Sequence, residues 1–383
     1  MHGVVESGFR VEQRPLAELG AIAAEWQSLA DRALEPNVFL EPAFALAAAP
    51  VLGRGVGVSL IWSRRHPARL MGFFPGRVER QRFGIALPLL VGWTHPFAPL
   101  GTPLIDRDAA AEVVSAWFSH LESRPEVPRL LLMPLMPVSG QVAQSLAAAL
   151  AQRGGACLAL DRHQRALLAP ASDASRAQYL EQAIGAKKRK ELRRQRKRLA
   201  ERRALHTETV SEPAAVAAAL KDFLALEAAG WKGRAGTAAS SDEEIQGFMQ
   251  RAVTRLAEAG QARIARLLID GRPIATLVTL KSGATAWCWK IAYDEMFARF
   301  SPGVQLLIDA TKDLLEDPGI ARADSCATEN HPMIDHIWRE RLALEDRFMR
   351  IGPHPAFAFA FALERGRRAV IAGVKHLRDS VRS

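Results

Sequence analysis

Cysteine is scarce in this chain of 383 residues: only Cys157, Cys288 and Cys326 occur, widely spaced and with no CxxC pair. An odd, scattered set argues against a disulfide framework and against a structural zinc site. A reducing cytoplasm is the expected compartment. No run of about 18 apolar residues exists, so no transmembrane helix is expected. The longest apolar stretches, residues 130–138 and 356–363, are too short to span. The opening residues, MHGVVESGFRVEQRP, lack the long apolar segment of a secretory leader. Walker and Rossmann glycine spacings are absent. His331 and His336 stand five apart in HPMIDH, so they do not share a helix face as a zinc-binding pair would. No metal is expected.

What is present is a globular composition, 49% apolar and 24% charged, which excludes wholesale disorder. The formal net charge is +10. It is concentrated in one place. Residues 187–203 read KKRKELRRQRKRLAERR, with eleven Lys/Arg and two Glu. The other 366 residues together carry about +1, so this is a near-neutral protein with one strongly basic element. No aromatic side chain interleaves with the cations, which disfavours base stacking on that element.

Helical and strand periodicities alternate along the whole chain. In the first half, helices are expected at 16–30, in FLEPAFALAAAP, at 106–123 behind an Asp106 cap, and at 139–153 up to Gly154-Gly155. Strands are expected at 57–62, 69–78, 129–136 and from 157. In the second half, one long helix is expected over 179–204. Two more follow at 213–230 and 241–259, the latter capped by Ser240 or Ser241. Asp270-Gly271 between two β-type runs signals a hairpin. Lys281-Ser282-Gly283 is a second turn, and 285–293 a third strand. A helix at 303–315, a strand at 320–324, a helix at 331–344 and a strand at 347–351 complete the pattern. The tail from 356 reads as an amphipathic helix suited to dock on the body, with a dimer or membrane-surface contact as alternatives. No sequence repeat is visible. The fold class is α/β with a mixed sheet, in two domains of similar size.

Three segments gather chemistry. In WCWKIAYDEMFARFSPGVQLL a strand feeds a loop with Arg299 and Ser301, and Pro302 and Gly303 then open a helix. The amides and positive dipole end of such a helix hold an anion. In LEAAGWKGRAGT a helix ends at Gly230, and Trp231, Lys232 and Arg234 occupy a glycine-rich loop suited to substrate contact. Trp231 as a plug in the core is the competing reading. In DSCATENHPMIDHIW, Asp324, Ser325, Cys326 and His331 crowd a strand end. His331 is a candidate base there, and Cys326 a nucleophile or a packing residue.

These segments together carry a resemblance. KKRKELRRQRKRL, FLALEAAGWKGRAGTA, KIAYDEMFARFSPGVQL and DSCATENHPMIDHIWRERL, in this order and over about residues 180–352, resemble the CelD/BcsL-type GNAT N-acyltransferases, named for an association with bacterial cellulose biosynthesis. Residues 69–104 are similar to that family's N-terminal half. The resemblance implies a fold related to the Fem peptidoglycan aminoacyltransferases: two tandem GNAT-like domains, the first degenerate. The implied division is 1–165, 166–355 and a helical tail at 356–383.

The resemblance also implies direct transfer of an acyl group from acyl-CoA, with acetyl-CoA the expected donor, to an amine on a small molecule or glycan. On that pattern 285–293 is the splayed fourth strand, and Arg299, Ser301, Gly303 and Val304 hold the pyrophosphate. The usual Arg/Gln-x-x-Gly-x-Gly/Ala is replaced by Arg-Phe-Ser-Pro-Gly-Val. An attacking amine must lose a proton, and the leaving thiolate must gain one. Glu227, Asp324 and His331 are candidate bases, and Tyr293 or Ser325 candidate acids. Trp231, Lys232, Trp289 and Lys290 are candidate substrate contacts. Two alternatives stand beside this reading. One is a Fem-like transferase whose basic helix, Lys187 to Arg203, meets tRNA. The other is a non-catalytic scaffold binding an anionic carrier or a membrane surface there. A homodimer is a further expectation.

Overall fold

The computed structural model describes residues 8–66, 68–201 and 204–382. The leader region at 1–7 and the last two residues of the basic run, Arg202 and Arg203, lie outside the described residues. The first half contains, in order, β1 (Phe9–Pro15), α1 (Ala23–Asp31), α2 (Pro42–Leu52), β2 (Gly57–Ser63), β3 (Leu70–Glu79), β4 (Leu89–Gly92), β5 (Leu104–Ile105), α3 (Ala110–Glu122), β6 (Leu130–Pro137), α4 (Gln141–Ala151) and β7 (Ala156–Leu168). Then come α5 (Asp173–Ala177), α6 (Tyr179–Ala183), α7 (Ala186–Ala200), β8 (Leu205–Val210), α8 (Pro213–Ala229), α9 (Trp231–Arg234) and α10 (Glu243–Glu258). The chain closes with β9 (Ala262–Ile269), β10 (Arg272–Ser282), β11 (Thr285–Tyr293), α11 (Pro302–Glu316), β12 (Arg322–Asp324), β13 (Glu340–Arg350) and α12 (Phe357–Arg382).

Two structural units emerge. The first comprises the chain up to Asn37, Gly55–His163 and everything from Ala343; the second is Val38–Arg54 plus Gln164–Leu342. In the first unit β1, β2, β3 and β4 form an antiparallel meander. β6 then pairs parallel to β4, and β13 antiparallel to β6. Helix α3 links β4 to β6, and its apolar stripe of Val113, Val114, Trp117 and Leu121 packs with Met133 and Met136.

The second unit repeats this plan. β8, β9, β10 and β11 form the meander. β12 pairs parallel to β11, and the end of β7 antiparallel to β12. Helix α11 links β11 to β12 and buries Leu306, Leu307, Ala310 and Leu314 against Leu267, Leu277 and Trp338. The fold is therefore mixed α/β with the same strand plan twice, although no sequence repeat marks it. The last strand of each sheet comes from the opposite half of the chain.

Several local expectations need correction. The helix expected over 179–204 is two helices, because Ile184 and Gly185 are extended (ψ 117° and 146°). Arg189 spans the break by donating to the Ile184 carbonyl at 2.7 Å and to that of Glu181. The cap of α10 is Asp242, not a serine: its carboxylate accepts the Glu244 and Ile245 amides. The second hairpin turns at Gly283-Ala284. No helix forms over 331–344; residues 332–337 are turns, and β13 already starts at Glu340. The chain is already extended as β13 from Glu340, and its pairing with β6 begins at Leu344. The tail is helical, and in the first unit Ala360 is buried with Phe357 and Phe361 against Phe348. No helix among the described residues is long and apolar enough to cross a membrane.

Candidate active site of the second unit

Asp270 and Gly271 both adopt positive φ (50° and 78°), the paired left-handed conformation of a tight hairpin. That turn fixes β9 against β10, and β10 positions β11. Trp289 is the extra residue in a bulge: Val278 pairs with Lys290 and Thr279 with Cys288, so Trp289 has no opposite number. On its other edge β11 pairs with β12 only from Thr285 to Trp287. Beyond the Trp287–Asp324 pair β11 runs on for six residues along β10 alone among the described strands. β12 ends at Asp324 while β11 continues to Tyr293, so the parallel pairing stops short and forms the mouth of a wedge.

The wedge is held open from the β12 side. Asp324 and Arg165 are both buried, and the guanidinium donates to the carboxylate at 2.5 Å. The other Asp324 oxygen accepts the Cys326 amide at 3.0 Å and stabilises a left-handed turn at Cys326 (φ 52°). Both Asp324 oxygens are thus engaged, which suits a positioning residue and not a base. Burial pushes the Cys326 thiol well above its ordinary value, with Asp324 adding to the effect. Burial pushes Cys288 up to about 12. Neither is a thiolate near neutral pH, which removes the nucleophile reading.

At the far end of β11 the loop to α11 folds as a short 3₁₀ turn, Glu295–Phe300. Ser301 ends it with φ 52° and starts α11 without any side-chain cap. Pro302 has no N–H, and Gln305 already donates to the Ser301 carbonyl at 3.0 Å. The Gly303 and Val304 amides are the first-turn donors left for an outside partner. Gly303 is closely surrounded: an added Cβ would lie 3.2 Å from Met333 Sδ and 3.2 Å from the Tyr293 ring, so either neighbour would have to shift slightly. Arg299 is exposed, with its guanidinium 4.7 Å from the Phe300 ring centroid.

A small cleft beside Tyr293 brings together Glu227, Trp231, Lys232 and Glu295. Glu227 is buried, and accepts from Lys232 Nζ at 2.6 Å and from the Ala239 amide at 2.9 Å. Trp231 is 59% exposed, so it is not a core plug. Glu295 ties the two loops together: it accepts the Trp231 amide at 2.7 Å and Arg234 Nη2 at 2.7 Å. The Arg234 hydrogen bond, with the Trp231 amide, holds its carboxyl below the usual carboxylate range. Lys290 is lowered to about 8, first by burial and then by Lys232, while Glu227 and Cys326 pull the other way. His331 is half-buried, and burial lowers its pKa, opposed by Asp335. Its Nδ1 accepts the Met333 amide at 3.4 Å, which leaves the proton on Nε2.

Trp289 departs from its expected place. It is buried against Phe44 and Phe248 at 5.7 and 6.5 Å between ring centroids, and packs the core instead of walling the cleft. Trp287 and Trp338 are also core residues. Arg165 and Glu295 were not singled out by sequence. A strand arginine and a loop glutamate carry no motif, and only their partners far along the chain give them roles.

The second unit is a four-stranded meander followed by a crossover helix and a parallel fifth strand. Within it, residues 186–331 match the family model described as an acetyltransferase (GNAT) domain. The second unit thus carries a GNAT-type acetyltransferase domain. No curated protein sequence matches the chain. Among solved structures, FemX is similar at 11% identity, covering 88% of this chain and 98% of its own, with a TM-score of 0.56. The C-terminal (DUF2156) domain of a candidate lysylphosphatidylglycerol synthetase from Agrobacterium fabrum covers 91% and 95% at 11% identity and a TM-score of 0.54. A conserved protein from Bacteroides thetaiotaomicron covers 90% and 100% at 11% identity and 0.53. These likenesses establish the fold. No group of three or more His, Cys, Asp or Glu among the described residues is arranged to hold a metal ion.

Proposed function

We propose that the second unit transfers an acyl group from acyl-CoA, acetyl-CoA first among them, to an amine by direct attack. One observation carries this reading. The Tyr293 ring borders both Gly303, at the uncapped start of α11, and the cleft that holds Glu227, Trp231 and Lys232. A donor pyrophosphate on the Gly303 and Val304 amides, flanked by Ser301 and Arg299, directs its thioester along the wedge between β11 and β12. A backbone amide of β11 beyond Trp287 is suited to polarise the carbonyl. The acceptor amine approaches from the cleft, where Trp231 offers an apolar face and Glu227 attracts a cation.

The new N–C bond forms as the C–S bond breaks. The amine proton leaves to water, Glu227 being held by Lys232 and the Ala239 amide through both oxygens, and Tyr293 protonates the departing sulfur. His331, with its proton on Nε2, fits a hydrogen-bond donor to the donor molecule better than a base. The CelD/BcsL resemblance supports this activity class; the acceptor, a small-molecule or glycan amine, follows from it.

A second reading rests on α7, whose exposed face presents Lys187, Lys188, Lys190, Arg193, Lys197 and Arg198. A Fem-like transferase would use that face for the phosphates of an aminoacyl-tRNA. Thermal unfolding in the presence of acetyl-CoA, CoA or bulk tRNA separates the two, because a ligand bound only to the native state raises the midpoint. Stabilisation by acetyl-CoA but not tRNA supports the first reading. Stabilisation by tRNA alone overturns it.

A further inference from the structure

The first unit contains a cavity of about 450 Å³ that none of the chemistry above uses. It lies between the β2–β4 face and the C-terminal end of α3, wholly within that unit. Its volume falls in the range of small-molecule sites, roughly 300–1,000 Å³. Phe74 and Trp117, stacked at 4.1 Å, and Met133 supply an apolar wall. Ser59, only 4% exposed, is the polar point of that wall. Its Oγ accepts from Gln13 Nε2 at 2.6 Å and from Trp117 Nε1 at 3.1 Å. With both lone pairs used, the hydroxyl still has a hydrogen to donate, and no protein acceptor takes it among the described residues. One turn along α3 from Trp117, His120 also lines the cavity, and its Nε2 is buried without a hydrogen-bond partner. Burial, with Arg124 adding to it and Glu126 opposing, keeps that imidazole neutral near pH 7. The exposed cations Arg80 and Arg124 stand at the same wall.

We propose that this cavity binds a small carboxylate with an apolar body. The Ser59 hydroxyl has a hydrogen to donate, a neutral His120 with its proton on Nε2 offers a second, and an unmet buried donor is costly. Glu126 also stands at the rim and pairs with Arg124 at 3.1 Å, but Arg77 and Arg80 leave a positive surplus that favours an acceptor with a negative charge. The Phe74–Trp117–Met133 wall takes the rest of the molecule. Neutral alcohols satisfy the wall but not the rim, and inorganic anions satisfy the rim but not the wall.

Decanoate is a suitable probe, with decanol and inorganic phosphate as comparisons, in calorimetric titration of the full chain. Gly57 offers a test that does not depend on the polar groups. A Cβ added there meets nothing closer than 3.9 Å, and the residue lines the cavity, so Gly57→Leu puts an isobutyl group into it. Decanoate is expected to bind saturably, and at least about tenfold more tightly than decanol, as one charge-assisted contact commands. Gly57→Leu is expected to abolish binding while its circular dichroism stays native, and Ser59→Ala to weaken it by about tenfold. Saturating acetyl-CoA leaves the decanoate affinity unchanged if the cavity is the site. Four results overturn the proposal: no binding, equal affinity for decanol, displacement by phosphate, or wild-type affinity in a folded Gly57→Leu.

Discussion

Arg165 and Asp324 form an ion pair at 2.5 Å with both side chains almost fully buried, 2% and 4% exposed. Asp324 also fixes the Cys326 turn where β12 parts from β11. Removing the carboxylate alone leaves a buried guanidinium short of its anion. Asp324→Ala is therefore expected to cost about 3–5 kcal/mol, whereas Arg165→Met with Asp324→Leu recovers much of that loss. Urea denaturation of the single and double variants checks it. Equal losses in both would mean the pair acts through something other than charge.

Lys290 sets a pH dependence whose sign follows from its environment. Its pKa falls to about 8 in the folded chain, chiefly through burial. Between about 8 and the unfolded value near 10.4, the unfolded chain binds the extra proton, so stability rises with pH across that window. Below pH 8 both states are protonated, and the full penalty of about 3 kcal/mol is present. Lys290→Met is expected to stabilise the protein at pH 7 and to lose that advantage by about pH 10.5. Denaturant midpoints at pH 7, 9 and 10.5 measure it; a pH-independent difference contradicts it.

Parts of this architecture are written locally and parts are not. The Asp270-Gly271 turn is legible because both positive φ angles belong to the dipeptide itself. The α3 stripe is legible because helical spacing lies within one element. The break at Ile184–Gly185 is not, since the carbonyls it exposes are satisfied by Arg189 from the next helix. The strand at Glu340–Arg350 reads as part helix because its hydrogen bonds come from residues 130–137, some 200 positions earlier. In the candidate site, Trp231 and Lys232 are legible from their glycine-rich loop and Glu227 and Tyr293 through the family resemblance, and the structure brings the four to one cleft. Glu295 and Arg165 drew none, because their partners Arg234 and Asp324 lie 61 and 159 residues away. The repeated strand plan was equally hidden, since topology can persist when side chains no longer correspond.

Gly303 gives a direct test of the donor-binding end. A Cβ there lies at 3.2 Å from both Met333 and Tyr293, tight enough to force a small shift. Gly303→Ala is expected to lower stability by about 1–2 kcal/mol through overpacking. Gly303→Val adds bulk beside the two first-turn amides and should raise KM for acetyl-CoA by at least about tenfold, with a smaller change in kcat. Steady-state kinetics over a range of acetyl-CoA concentrations reads the split. A kcat loss at unchanged KM would move the donor away from the start of α11.

The cations of α7 divide into those that hold the helix and those that face outward. Arg196 donates to Asp309 at 2.7 Å and to Thr207 at 3.0 Å, tying α7 to α11 and β8. It remains 38% exposed, so Arg196→Ala is expected to cost only about 1 kcal/mol. Lys190, Arg193 and Lys197 fall within about 60° of one another around the helix at 100° per residue, and none forms an ion pair among the described residues. Replacing all three by alanine should change stability by less than about 0.5 kcal/mol. Its effect on ligands is diagnostic. If this face meets single-stranded RNA phosphates, the slope of log affinity against log salt falls by about 2, from three contacts at about 0.7 each. If the face contacts only solvent, tRNA binding is negligible in both proteins and acetyl-CoA kinetics are unchanged. Fluorescence titration with labelled tRNA at several salt concentrations, run beside the acetyl-CoA assay, distinguishes a phosphate-reading helix from a solvated one.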